Sequence, residues 1–241
     1  ANIIYERKLD SYHFPKNTMF VCTGNRLCDR SGVVKSFDHL TNRQCVIEIQ
    51  HDYQEWIMWA IANGVNEKVI AYIAWQKNSG LNDYAEVGKM PCATSRSWVS
   101  VSRQLDMFET GAADGVDEYT KHASFQGFIG NKAIEFAEFC NIYKNVPDVN
   151  EIMAHPKTTP VCDKLDLRYA TAISVANAIT EDNIENAVIY LSRKGEPSMG
   201  LDLGWTTLQL ASSRNPKLYR TAAFRKWADE NSKSLNGIVS S

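Results

Sequence analysis

A mainly α-helical protein with a small α/β portion at its N-terminal end is the fold this sequence predicts. Three observations carry that expectation. Beyond residue 51, apolar side chains recur at i, i+3, i+4 and i+7, the period of helices with one buried face. Before residue 50 lie two short apolar runs, 18–23 and 44–49, that read as strands. A hydrophobic content of 44% and an aromatic content of 10% over 241 residues suffice for a sizeable core.

The elements follow in chain order. Thr-Met-Phe-Val-Cys-Thr at 18–23 is nearly all apolar, as in a strand buried on both faces, and it runs into the polar corner Gly24-Asn25-Arg26. A polar loop, 26–42, is too long for a hairpin, and loops of that length in compact domains usually carry function. The second strand candidate, Gln-Cys-Val-Ile-Glu-Ile, follows. Asp52 is placed to cap a helix with Tyr53, Trp56, Ile57 and Ala60 on one face, stopped by Asn63-Gly64. Asn66 caps the next, with Val69, Ile70, Ile73 and Ala74, ending at Asn78-Ser79-Gly80. Thr94 or Ser95 caps a third, carrying Trp98, Val99, Ser102 and Leu105.

The Gly-rich acidic stretch 111–117 reads as a mobile connector or subdomain boundary. Phe136, Phe139, Cys140 and Tyr143 mark another helix, closed by Asn145-Val146-Pro147, and Asp148 caps a short one with Val149, Ile152 and Met153. After a turn bracketed by Pro156 and Pro160 come two stripes. One is Leu165, Tyr169, Ala172, Ile173 and Ala176; the other is Ile184, Ala187, Val188 and Leu191, halted by Gly195. Phe224 and Trp227 stand at helical spacing in the tail. The expected division is 1–50, 51–110 and 111–241.

Composition narrows the function. A formal charge of −2 gives no bulk electrostatic case for binding nucleic acid or an anionic membrane. Cys22, Cys28, Cys45, Cys92, Cys140 and Cys162 are scattered singly, with no CxxC pair, no secretory signal and no apolar stretch near the ~20 residues of a span. They read as reduced, mostly buried thiols of a soluble, cytoplasmic protein. The five histidines show no metal-ligand spacing, and no GxSxG or Cys–His signature points to a nucleophile, so no metal site is expected. The opening Ala1-Asn2-Ile3-Ile4-Tyr5 has no initiator Met and reads as the start of a processed product or a fragment.

Three positions could carry chemistry. Asn25, at the exit of the first strand candidate, is a residue type that orients an attacking water beside a nucleotide γ-phosphate, or else steadies a Gly-Asn turn. Arg43, immediately before the second strand, either reaches a transferring phosphoryl group or pairs at the surface with a carboxylate such as Asp38; Arg26 and Arg30 compete for the same role. Arg96 lies in the first turn of a predicted helix, where the dipole disfavours a cation. That conflict makes sense if an anion binds there between the N-terminal amides and the guanidinium; otherwise Arg96 is an exposed arginine at small cost.

The order of these segments resembles the second half of MoxR-like AAA+ ATPases, bacterial or phage, from about Tyr5 to the tail. Residues 6–15 are similar to the segment leading into the family's sensor 1 strand, and 20–25 to that strand, with Asn25 in the sensor 1 position. Asn42-Arg43 resembles the end of the Leu-x-Asn-Arg signature, which makes Arg43 the arginine-finger candidate. The Trp-rich run 56–64 resembles the start of the helical lid, and Ser95-Arg96-Ser97-Trp98 the Pro-Arg-Ser-Trp motif, which makes Arg96 the sensor 2 candidate. Ser95 stands in place of the usual Pro and Gln44 in place of the usual aromatic. The resemblance implies a small α/β remnant of a AAA+ core, then a lid and a helical extension. It also implies ATP and Mg²⁺ as cofactors and a homo-oligomeric ring, hexameric in the family, with a chaperone-like action on a partner such as a von Willebrand A-type protein. Neither a Gly-x-x-x-x-Gly-Lys-Ser/Thr loop nor the acidic strand that binds Mg²⁺ occurs in these residues, so the chain alone is expected to be inactive. A non-catalytic helical scaffold or adaptor derived from such a protein is the alternative.

Overall fold

The computed structural model describes residues 3, 6–24, 45–83 and 91–238, and it is mainly helical. The chain divides into two units, Ala1–Gln50 with Val87–Lys89, and His51–Glu86 with Met90–Ser241.

In the first unit, β1 (Lys8–Leu9) and β2 (Tyr12–His13) form an antiparallel hairpin in the register Lys8 to His13 and Leu9 to Tyr12. Its two-residue loop places Asp10 at φ 52°, a conformation that Asp tolerates better than most residues. The Arg7 guanidinium donates to the carbonyls of Pro15, Lys16 and Thr18, folding the chain back on the hairpin. Phe14 packs edge-to-face with Tyr12 and with Phe20, ring centroids 5.1 Å apart in each pair.

Here the structure corrects the sequence reading. Residues 18–24 and 45–50 belong to no ladder, and Met19 (84%), Val21 (80%) and Ile49 (84%) are exposed. A strand is buried on both faces only when neighbouring strands take up its amides and carbonyls and helices cover them. Among the described residues the first unit offers only the two-residue hairpin, and Arg7 already occupies the Thr18 carbonyl. Hydrophobicity reports that a run is fit for burial; it does not report whether the sheet that would bury it lies in the same stretch of chain.

The second unit opens with α1 (Tyr53–Ala62), capped by Asp52, whose Oδ1 accepts from the Gln54 and Glu55 amides. Next come α2 (Glu67–Gln76), capped by Asn66, and the short α3 (Asn78–Leu81). The helix expected to run on to Asn78-Ser79-Gly80 stops at Gln76, because Lys77 takes φ 58°, ψ −144° and turns the chain. The turn is fixed by Asn78 Oδ1 accepting from the Tyr53 amide at 3.0 Å, and by Ser79 Oγ donating to Gln76 O at 2.6 Å.

Then follow α4 (Ser95–Glu109), α5 (Glu118–Ile129), α6 (Lys132–Tyr143), α7 (Val149–Ala154), α8 (Leu165–Ala178), α9 (Ile184–Leu191), α10 (Leu201–Arg214), a 3₁₀ turn (Pro216–Arg220) and α11 (Ala222–Ile238). Of the described helices, none is long and apolar enough to cross a membrane. Phe108 of α4 and Phe125 of α5 pack edge-to-face at 6.0 Å across the Gly-rich turn between them.

Helix α8 lies at the centre of this unit. Ala170, Thr171, Ala172, Ile173, Ser174, Val175 and Ala176 are all buried in succession, so every face of the helix meets protein, and their small size allows close approach. One face joins the core of α1, α2, α4, α5 and α6; the other joins the core of α7, α9, α10, the 3₁₀ turn and α11. Tyr143 Oη and Ser174 Oγ, 2.6 Å apart, tie α6 to α8, and burial pushes the Tyr143 phenol up. Glu135 of α6 accepts from Tyr72 at 2.9 Å, from Gln76 and from Lys132, joining α6 to α2.

Gly130 closes α5 at φ 55°, ψ −131°, and a Cβ there would stand 2.0 Å from the Pro91 carbonyl oxygen. Only glycine satisfies both the positive φ and that approach. Gly130→Ala is expected to destabilise by about 2 kcal/mol or more and to lower Tm by roughly 4–8 °C. A thermal melt unchanged from the parent would contradict this.

Candidate functional site

The start of α4 is built by local chemistry. Thr94 Oγ1 accepts from the Ser97 amide at 3.1 Å while Ser97 Oγ accepts from the Thr94 amide at 2.8 Å, a reciprocal capping box. Asn82 Oδ1 takes the Ser95 amide at 3.3 Å. These bonds revise one sequence expectation. The Ser95 and Ser97 amides are already satisfied, so they do not converge with Arg96 on an anion. What remains for an anion is the guanidinium, the Arg96 amide and the positive end of the helix dipole.

Trp98 decides which way Arg96 faces. Its indole is fully buried, 5.2 Å from both the Tyr72 and Phe136 rings, and Nε1 donates to Gly80 O at 3.0 Å. Two residues earlier is about 200° round the helix, and Arg96 is accordingly exposed. At the other end of α4, the Asn66 amide donates to Ser102 Oγ at 2.8 Å, and Asn66 Nδ2 donates to Asp106 at 2.8 Å and Glu109 at 2.9 Å. Fixed at both ends, α4 presents Ser95, Arg96, Val99, Ser100 and Arg103 to an open groove of about 500 Å³ whose other wall is Trp56 and Trp59 of α1. The two indoles are tilted, with centroids 6.4 Å apart; Trp56 is buried and Trp59 is 47% exposed. Among the described residues no carboxylate lines the groove, and neither Arg96 nor Arg103 makes an ion pair or hydrogen bond with one of them.

Asn25, Arg26, Arg30 and Arg43 lie outside the described residues, so Arg96 is the one predicted site residue with a described setting. The sequence reading missed Arg103 and Trp59. Arg103 was legible in principle, seven residues after Arg96 on the same helical stripe. Trp59 was harder, because in a Trp-Ile-Met-Trp run the period does not say which indole faces out.

A second open groove, lined by Thr158, Asp163, Arg193 and Lys194 among others, has its arginine committed: Arg193 donates to Thr159 O and lies 5.9 Å from the Tyr190 ring. The thiols divide by unit. Burial pushes Cys140 up to about 12 and also raises Cys92 and Cys162, keeping all three protonated. Cys22 and Cys45 of the first unit are exposed, contrary to the expectation of mostly buried cysteines, because the runs that carry them have no core around them; Cys28 lies outside the described residues.

Comparison of the chain with models of protein families, with curated proteins and with solved structures finds no match.

Proposed function

We propose that this chain is the C-terminal portion of a MoxR-like AAA+ ATPase, with Arg96 contacting the nucleotide from the helical lid. The complete cytoplasmic protein would couple ATP binding and hydrolysis, with Mg²⁺, to remodelling of a partner, in a homo-oligomeric, hexameric ring; a von Willebrand A-type protein fits the partner role. Asn25 would position water and Arg43 would reach a neighbouring subunit's nucleotide. The observation that supports this reading most is Arg96 itself: an exposed guanidinium with no partner among the described residues, held in the first turn of α4 by a buried Trp98, with the tryptophan helix alongside.

The residues present do not make a whole nucleotide site. No Gly-x-x-x-x-Gly-Lys-Ser/Thr loop occurs in the 241 residues, and no three His, Cys, Asp or Glu side chains among the described residues are grouped to hold a metal ion. No hydrolytic step is therefore assigned to this chain. The proposal requires the phosphate loop and Mg²⁺ ligands to come from polypeptide encoded upstream.

Phosphate release from ATP tests this, with the isolated 241-residue chain assayed beside the product of the whole reading frame. The expected result is turnover by the whole product and only background from the isolated chain. A whole product without a phosphate loop and without turnover overturns the ATPase reading in favour of the scaffold. Turnover by the isolated chain that Arg96→Ala abolishes overturns the expectation that this portion is inactive.

A further inference from the structure

We infer that residues 77–83 form a strained strap that sets the spacing of α1 and α4, and that it has two positions. One is the bent form described above; in the other, α2 runs straight on through Lys77. The strap rests on backbone geometry, so it does not depend on the ATPase reading.

Lys77 holds the strain. Its φ of 58° and ψ of −144° lie close to the region that only glycine enters freely. A lysine has no need of that conformation, since it is a good helix former and no proline interrupts residues 67–81. The apolar stripe of α2 also continues past the bend. Ile70, Ala74 and Leu81 stand at i, i+4 and i+11, which is one face of a single helix. In the straight form Lys77 takes an ordinary helical φ, and Leu81 stays on the buried side. Gly80 is what lets the bend close, because a Cβ there would run into the Cβ of Gln76. In a continuous helix those two positions are about 5–6 Å apart between Cβ atoms, and a methyl group is harmless.

The bend persists because it grips two helices at once. Asn78 Oδ1 accepts at 3.0 Å from the amide of Tyr53, the first residue of α1. Gly80 O accepts from the Trp98 indole at 3.0 Å, and Asn82 Oδ1 from the Ser95 amide at 3.3 Å, both in the first turn of α4. The Asp83 amide adds a bond to Ala93 O at 2.9 Å, just before that helix. Straightening carries Asn78, Gly80 and Asn82 away together, so the starts of α1 and α4 are released as a pair. These bonds offset the strain at Lys77. Those of Asn78 and Ser79 are exposed and compete with water, which keeps the two positions close in energy.

Two substitutions push the strap in opposite directions. Lys77→Gly relieves the bent form, and Gly80→Ala fits only the straight helix. Hydrogen exchange of the whole chain, followed by NMR, reads both at the Tyr53 and Ser95 amides and the Trp98 indole. Lys77→Gly is expected to slow exchange at all three about 3–10-fold and to raise Tm by roughly 2–4 °C. Gly80→Ala should speed exchange there by a similar factor while circular dichroism shows the helix content kept. Asn78→Ala removes a bond to α1 alone, yet it should speed exchange at Ser95 and the Trp98 indole as much as at Tyr53, with the buried amides of α8 unchanged. The proposal is overturned if Lys77→Gly lowers Tm, if Gly80→Ala loses helix content, or if the effect of Asn78→Ala stays at Tyr53. An acceleration spread equally over α8 means global unfolding and overturns it too.

Discussion

Trp98→Ala is expected to destabilise the helical unit by about 4–6 kcal/mol, the largest effect of any single substitution argued from this structure. Truncating a fully buried indole removes its burial and leaves a cavity beside Tyr72 and Phe136, a loss of about 3–5 kcal/mol. It also strands the Gly80 carbonyl, which Nε1 now satisfies, adding about 1 kcal/mol. Tm should fall by roughly 10–20 °C. Trp98→Phe keeps much of the ring packing but loses the hydrogen bond and part of the volume, so its effect should be about half as large. Urea unfolding of the three proteins measures both. A Trp98→Ala chain within about 1 kcal/mol of the parent would mean that the indole does not anchor α4.

That anchoring links fold to site. The buried face of α4 fixes its rotation, and the rotation places Arg96 and Arg103 outward. A loosened Trp98 would therefore blunt the groove as well as the core.

Much of this helical unit was legible in the sequence because its starts are written in side-chain chemistry. Asp52, Asn66, Thr94 and Asp148 each accept an amide from the turn they open, as their residue types and the stripes behind them predict. Helix α10 escaped notice for the converse reason. It begins at Gly200 without a capping side chain, and Gly204, Thr206 and Thr207 lower its apparent propensity. Tertiary packing overrides that, since Gly204 lets the Trp227 ring approach to 3.2 Å of where a Cβ would stand. Helix α5 was likewise unread, because only Phe125 and Ile129 of its residues are buried and no stripe stands out. The stop at Lys77 was illegible because lysine carries no signal for positive φ; the bonds of Asn78 and Ser79 impose it.

The candidate site was half legible. Arg96 betrays itself by contradicting the dipole at a helix start, a local conflict that sequence alone displays. Its partners do not. The capping of Ser95 by Asn82 is set by the turn after α3, and the exposure of Trp59 by how α1 lies on its neighbours. Asn25 and Arg43 keep the standing that the family resemblance lends them.

The central claim is that Arg96 acts on the γ-phosphate, and steady-state ATP turnover by the whole reading-frame product, parent against Arg96→Ala, tests it most directly. Arg96 is exposed and has no partner among the described residues, so its truncation should leave Tm within about 2 °C of the parent. With folding preserved, the account predicts a kcat lowered about 100-fold, since a cation aimed at charge developing on a transferring phosphoryl group is worth that much or more. Arg96→Lys should fall between, keeping the charge and losing the fork. A folded Arg96→Ala protein that turns over ATP as fast as the parent would contradict the account.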